Sequence, residues 1–520
     1  MSTWDMDRRG FLKMSGVAAA GFTLSGLLTA CGGGSSAGGS SGGSFNGNLR
    51  VSMPSDVKSL DPQKQGDIPS MSVASNLFDT LTTRDADNKL VGGLATAWTA
   101  VDPTTWRFTI RQGVKFHNGE PCDAAAVAFS INRLINPATK SPIVELHYVK
   151  SAKVVDANTV DFLMSAPDPI IPEKVSLFGG VVVPPKYLAE KGDAGFAASP
   201  VGTGPFTFQS RQQDNQVVMV ANPDYWGAKT QVKMLTIKIM PSPATAIAAL
   251  QSGDIDVVTG LTPDAIDQLG KGSGASAQKV PGVREYYVAM NTLTSGPLAN
   301  PDVRIALNHA VDVPTLINTV LRGAAERTPT LLPQQVFGYD GSIPAISYDP
   351  DKAKSMLASA GYPTGFSTQL SASSVDTDIA QALAAQLGKV GVKADVKIVD
   401  ATKFGSLLVS GDPQAIGPMY LSGNTGWTLD GESFLQSTIR SDRRQSLWHN
   451  PQADALVDKE EQSLSTTDRQ QAFTGLQKLM AENAPFIYLY HASNAYALRD
   501  GIDWTMPLSG VLAMAPAKGK

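Results

Sequence analysis

The segment GFSTQLSASSVDTDIAQALAAQLGKVGVKADVKIVD, residues 365–400, decides the fold class. Phe366–Leu370 reads as a strand. Ile379, Ala382, Leu383 and Leu387 then recur at the spacing of one helix face. Gly391 ends that helix, since glycine takes the left-handed turn there without a steric penalty. Val392, Ala394, Val396 and Ile398 alternate with polar residues, the period of a strand. Strand, helix and strand joined by short links form a βαβ unit, which implies parallel pairing. The class is α/β, with more than one sheet.

The same devices recur on both sides of that segment. Asn300-Pro301 and Asp349-Pro350 each place a capping side chain before a proline at the first helical position. Val303, Ala306, Leu307 and Ala310 follow the first, and Ala353, Met356, Leu357 and Ala360 the second, which Gly361 stops. Asp123 caps a helix with Val127, Ile131 and Leu134 on one face. Trp106, Phe108 and Ile110 alternate as a half-buried strand. Phe473, Leu476, Leu479 and Met480 make a helical stripe, and Pro485–Tyr490 reads as a buried strand.

Composition excludes several classes. Of 520 residues, 42% are hydrophobic and 17% charged, with a formal net charge of −4. That apolar content is too high for a disordered chain. The acidic balance excludes a basic nucleic-acid binder, and a mean hydropathy near zero excludes a polytopic membrane protein. Two cysteines, Cys31 and Cys122, cannot make a disulfide scaffold.

The N-terminus is an address and an anchor. Arg8-Arg9 with Phe11-Leu12-Lys13 resembles a twin-arginine signal, and Val17–Ala30 is a small apolar run too short to span a bilayer. Leu28-Thr29-Ala30-Cys31 resembles a bacterial lipobox, in which Cys31 is lipidated. From Gly32 to Ser44 every residue except Ala37 is Gly or Ser, a flexible tether. Cys122 is then the one cysteine of the mature chain, a buried and inert thiol.

The search for an active site comes out nearly empty. His117, His147, His309, His449 and His491 never pair at metal-ligand spacing. Gly34-Ser35-Ser36-Ala37-Gly38 matches a nucleophile pattern but lies in the tether, without a strand before it. Gly202-Thr203-Gly204-Pro205 lacks an N–H where a phosphate cradle needs one, and reads as a tight turn. No cofactor and no metal is expected, and catalysis is not.

Read in order, a set of segments resembles the solute-binding proteins of ABC peptide/nickel importers, the oligopeptide- and dipeptide-binding family. They are Ser59-Leu60-Asp61-Pro62, Asn76-Leu77-Phe78-Asp79-Thr80-Leu81, Leu94-Ala95-Thr96-Ala97-Trp98, Trp106-Arg107-Phe108 and Gly113–Glu120. Gly202–Phe206, Asn222-Pro223-Asp224-Tyr225-Trp226-Gly227, Leu250–Asp256, Asp302–Leu307 and Ala360-Gly361-Tyr362-Pro363 continue the series. Their order and spacing carry the resemblance, which covers most of the mature chain.

The resemblance implies a periplasmic-binding-protein type II-like fold: two α/β lobes with a hinge and an additional inserted domain. By that analogy the signal takes 1–31 and the tether 32–45. Lobe I takes 46–78, 200–289 and 491–520, the inserted domain 79–199, and lobe II 290–490. It implies a membrane-anchored, extracytoplasmic monomer that captures di- or oligopeptides between the lobes and delivers them to permease subunits. A nickel chelate or another small solute is the alternative within the family. A secreted lipoprotein hydrolase is the alternative from another class.

For the site, the resemblance points to the loop carrying Thr425, Gly426, Trp427 and Asp430, with Asp430 pairing a ligand amine and Trp427 as an apolar wall. That loop runs Asp430-Gly431-Glu432-Ser433, where peptide binders carry a second Asp-Pro. Position in the chain adds Tyr287, Met290 and Asn291 at the first crossover between lobes, Tyr488 and Tyr490 at the return, and Gln65, Asp67 and Ile68 after the Leu-Asp-Pro motif. Arg440, Arg443 and Arg444 are candidates for a ligand carboxylate or a solvated basic patch.

Overall fold

The computed structural model describes residues 45–520, apart from 263, 264, 267, 268, 270–273, 411, 436 and 444. The export signal, the lipidation residue Cys31, the tether as far as Ser44, and Arg444 lie outside the described residues.

The segment that opened the sequence folds as a βαβ unit. Ser367–Ser373 pairs in parallel with Lys393–Val399, and helix Thr377–Gly388 connects them. Its buried face is Ile379, Ala380, Leu383 and Leu387, with Ala380 where the spacing pointed to Ala382. Ile398 is 40% exposed, because Lys393–Val399 is the last strand of its sheet and one face lacks a covering layer. The capping devices are in place: Asp123, Asn300 and Asp349 each accept a backbone N–H from the first turn of the helix that follows.

Among the described residues, eleven strands form one mixed sheet. One end holds the βαβ unit and Met419–Thr425; the other holds Val257–Thr259, Asn48–Met53, Met234–Ile239, Gln216–Ala221 and Phe206–Gln212. Two long strands, Ala275–Met290 and Phe486–Arg499, pair antiparallel in the middle and join the ends. A separate four-stranded antiparallel sheet, Ala95–Asp102, Thr105–Ile110, Thr159–Met164 and Val149–Asp156, belongs to the inserted domain.

The cores follow this division. Leu49, Val51, Met71, Phe206, Leu235, Tyr496 and Met514 share one cluster, the core of lobe I. Phe108, Ile131 and Phe162 share another, in the inserted domain. Lobe II has two, one on each face of its sheet, around Val303, Leu383 and Leu421 and around Tyr420, Phe434 and Phe473. The crossover strands feed both sides: Tyr496 and Leu498 enter the first-lobe core, while Met290 and Leu489 enter the second. Helix Pro185–Ala198 gives Leu188 and Phe196 to the first-lobe core, although it falls within residues 79–199.

Several of the segments carrying the family resemblance prove to be structural. Asp79 accepts hydrogen bonds from Thr203 Oγ1, Tyr225 Oη and Trp226 Nε1, each at 2.8 Å, so three separate motifs converge on one carboxylate. Burial raises that carboxyl to about 6 despite the three donors. The Gly202–Pro205 turn packs on the end of helix Ile68–Leu77; a Cβ on Gly202 would sit 2.0 Å from the Leu77 carbonyl oxygen.

Asp61 of the Leu-Asp-Pro motif is fully buried and pairs with Arg133 Nη2 at 2.6 Å, tying lobe I to helix Ala124–Ile135 of the inserted domain. Removing one partner strands the other charge in the interior, at about 3–5 kcal/mol. Arg133→Met should therefore lower the urea unfolding free energy by about that amount. A loss below about 1 kcal/mol would mean that water reaches Asp61 in the folded protein.

Candidate functional site

The loop after strand Met419–Thr425 turns where no side chain fits. A Cβ on Gly426 would lie 1.7 Å from Phe434 Cε2, so glycine alone allows this approach. The chain then presents Trp427 away from lobe II. Its indole packs against the apolar core of lobe I and meets Phe178 edge-to-face, with ring centroids 5.5 Å apart. Ile68, half-buried, packs against that same core. Asp67 caps helix Ile68–Leu77 through Ser70 N at 3.0 Å, and its Oδ2 lies 3.6 Å from Lys58.

Charged groups surround the loop. Lys174 Nζ lies 2.7 Å from Asp168 and 3.1 Å from Glu432, and its side chain is 4% exposed. Asp168 lies six residues from Lys174 and Glu432 lies 258 residues from it, so this buried ammonium ties together distant parts of the chain. Arg84 Nη2 donates to the Thr428 carbonyl. Burial lowers the Lys174 ammonium's affinity for its proton, but Glu432 and Asp168 more than offset this and hold it above the usual lysine range. Burial pushes the Glu173 carboxyl up to about 7, and the negative charge of Asp430 adds to that rise.

Asp430 stands differently from the expectation that it meets a ligand amine. Its Oδ2 accepts Arg469 Nη1 at 2.8 Å and its Oδ1 accepts Arg469 Nη2 at 2.6 Å, a bidentate pair with both side chains 5% exposed. Arg469 also pairs with Glu460 at 3.2 Å. The carboxylate is thus committed to a neighbour in helix Thr466–Asn483.

Other candidates sit apart from the loop's tip. Tyr287 is fully buried, packs edge-to-face on Phe486 and donates to Asn424 Oδ1 at 3.1 Å. Tyr488 donates to the Met480 carbonyl at 3.0 Å. Tyr490 stacks on Tyr286 with centroids 5.0 Å apart. Met290 is buried in the lobe II core, Asn291 holds the turn after it by accepting Leu293 N, and Gln65 donates to Pro62 O. Thr425 pairs in register with Arg284 on the crossover strand. Arg440 and Arg443 both reach Glu461, so they serve an ion-pair network within lobe II. Trp427 and Ile68 both pack against the same apolar core, with Asp67 beside Ile68 in sequence, and the tyrosines are assigned to the core.

Sequence reasoning missed Arg84, Lys174 and Arg469. For Lys174 a signal existed: a single lysine inside the apolar run from Ile170 to Val183. Arg84 and Arg469 stand among polar neighbours, where nothing in the pattern separates a buried cation from a solvated one.

Comparison with known proteins bears on the family of the chain. The model of the bacterial extracellular solute-binding proteins, family 5, matches residues 89–446. The glutathione-binding protein GsiB of Salmonella typhimurium is 31% identical over 68% of this chain and 69% of its own. The dipeptide-binding protein of Escherichia coli is 27% identical, covering 78% of this chain and 81% of its own. The structure of HbpA2 from Haemophilus parasuis superposes with a TM-score of 0.82 at 25% identity, over 91% of this chain and all of that one.

A pH effect follows from Glu173. A carboxyl raised from 4.5 to about 7 adds stability that is complete below its ordinary value and is lost as pH rises through about 7. The thermal midpoint should carry a component that falls between about pH 5 and about pH 8 and is missing in Glu173→Gln. Superimposable pH profiles for the two proteins would count against this assignment.

Proposed function

We propose that this chain, which belongs to the bacterial extracellular solute-binding proteins of family 5, is the membrane-anchored receptor of an ABC importer and captures peptides or peptide-like solutes between its lobes. The observation that carries this is the packing of Trp427 against the apolar cluster of Val51, Met71 and Phe178, together with the pairing of Lys174 to both Asp168 and Glu432. The relatives similar to it include receptors named for a dipeptide and for glutathione, which supports a peptide-type solute.

The residues proposed to meet the solute are Trp427, Ile68 and Asp67. Asp430 serves by fixing Arg469 and the loop. The lobes take roughly 46–78, 200–289 and 491–520 on one side and 290–490 on the other. They move about the crossover strands, where pairing slips between Pro281 and Arg284 and between Tyr286 and Tyr287. A solute favours the closed arrangement through the contacts it gains there. The closed, monomeric receptor then presents both lobes to the permease subunits and carries out no covalent chemistry. Peptide held by main-chain pairing and bridging water would leave the side chains free to vary. Anchoring is assigned to a lipid on Cys31, on the strength of the Leu28-Thr29-Ala30-Cys31 sequence; among the described residues no helix is long and apolar enough to cross a membrane.

Two experiments test this. Native mass spectrometry and calorimetry of the mature protein should find a bound peptide, with affinity falling about tenfold to a hundredfold in Trp427→Ala. An unchanged affinity in that variant, or consumption of the solute, would overturn the proposal. Separately, Cys31→Ser should move the protein from the membrane fraction to the soluble one; retention in the membrane would remove the anchor from the account.

A further inference from the structure

A cavity of about 330 Å³ lies behind the Trp427 indole. Met71 of helix Ile68–Leu77, Phe78 just after it, Leu177, Trp226 and Val511 form its apolar walls, and Trp427 closes one side. Among the described residues, Trp427 is the one lining group that comes from residues 290–490. The space is at the low end for small-molecule pockets, enough for one aromatic or branched apolar group with a short polar extension.

The polar groups on the wall limit what that extension can be. Asp79 borders the cavity, but its carboxylate already accepts from Thr203, Tyr225 and Trp226. Ser75 and Ser176 donate their hydroxyls to the Ser72 and Glu173 carbonyls. Arg84 differs. Its Nη1 donates to Asn88 O and its Nη2 to Thr428 O, while its buried Nε–H has no acceptor. A buried donor left without a partner is unfavourable, so an acceptor delivered there is bound with that penalty removed. A ligand ammonium would meet no free carboxylate on this wall and would be desolvated without compensation.

We infer that this cavity is a subsite for a bulky apolar group of the solute, with the carboxylate next to that group accepting the Arg84 Nε–H. The inference rests on the proposed role of the chain as a solute receptor and names the kind of solute: one ending in an aromatic or branched residue with a free acid. Because Trp427 completes the wall, such a group touches both lobes at once and stabilises their approach.

The test uses the mature full-length protein and four probes: Ala-Ala-Phe, Ala-Ala-Ala, 3-phenylpropionate and 3-phenylpropanamide. Calorimetry should show Ala-Ala-Phe bound at least about tenfold more tightly than Ala-Ala-Ala, the ratio that burial of a benzyl group implies. Ala513→Phe, which fills the cavity from the C-terminal segment, should bring that ratio to about one. Ser75→Phe fills it from helix Ile68–Leu77 and serves if the first variant fails to fold. NMR line broadening should show 3-phenylpropionate bound by the parent, more weakly by Arg84→Met, and less by either filled variant, with the amide weaker throughout. Equal binding of the two peptides, or 3-phenylpropionate bound equally by the filled variants, overturns the subsite. Binding of 3-phenylpropionate in this pattern without any peptide binding keeps the subsite and overturns the peptide receptor. No binding by any probe overturns both.

Discussion

The buried Lys174 draws its two carboxylates from distant parts of the chain, and the surrounding structure is built around that pairing. Lys174 is buried, and an ammonium removed from water loses several kcal/mol of hydration. Asp168 comes from its own domain, and the second carboxylate, Glu432, comes from lobe II. A buried pair of this kind roughly breaks even against its desolvation. It therefore specifies where the Glu432 loop meets the segment carrying Lys174, without making that meeting strongly favourable by itself. For a receptor that is the useful balance: an interface too stable when empty would leave the solute nothing to decide.

The loop that supplies the other half of the contact has to be stiff for the same reason. Phe434 fills the space beside Gly426, Arg469 pins Asp430 through two hydrogen bonds, and Asp430 in turn accepts the Glu432 N–H. Trp427 thus arrives at the first lobe already oriented. Asp430 contributes its geometry here, and its charge is cancelled by Arg469 before any solute enters. The carboxylate the family resemblance implied for an amine is engaged by a side chain of the same lobe.

Local and periodic features of the fold were legible in the sequence. Asn-Pro and Asp-Pro caps, the stripe Phe473–Met480 and the 365–400 unit each depend on nearby residues, none farther apart than Ser367 and Lys393, so pattern reveals them. Ile398 shows the limit: alternation marks a strand, but whether that strand lies at a sheet's edge is decided by elements far away. The site depends almost wholly on such distant pairs. Lys174 and Glu432 are 258 residues apart, and Asp430 and Arg469 are 39. Tyr287, Tyr488 and Tyr490 sit where the chain crosses between lobes, as position suggested. Their side chains turn into the cores, since an aromatic ring on a central strand gains more from burial than from a watery cleft.

The crossover strands explain how a movement between lobes would reach the site. Ala275–Met290 and Phe486–Arg499 stay paired along most of their length, which restrains twisting, while the slips near Pro281 and Tyr286 leave places where the ladder can bend. Between those slips lies Glu285, fully buried, its carboxyl pushed well above the usual range by burial. Arg284, at the edge of the first slip, pairs directly with Thr425. Thr425 is the residue before Gly426, and Gly426 sets the direction of Trp427. A bend at Pro281–Arg284 would therefore move the root of the loop proposed to face the solute, through the direct pairing of Arg284 with Thr425.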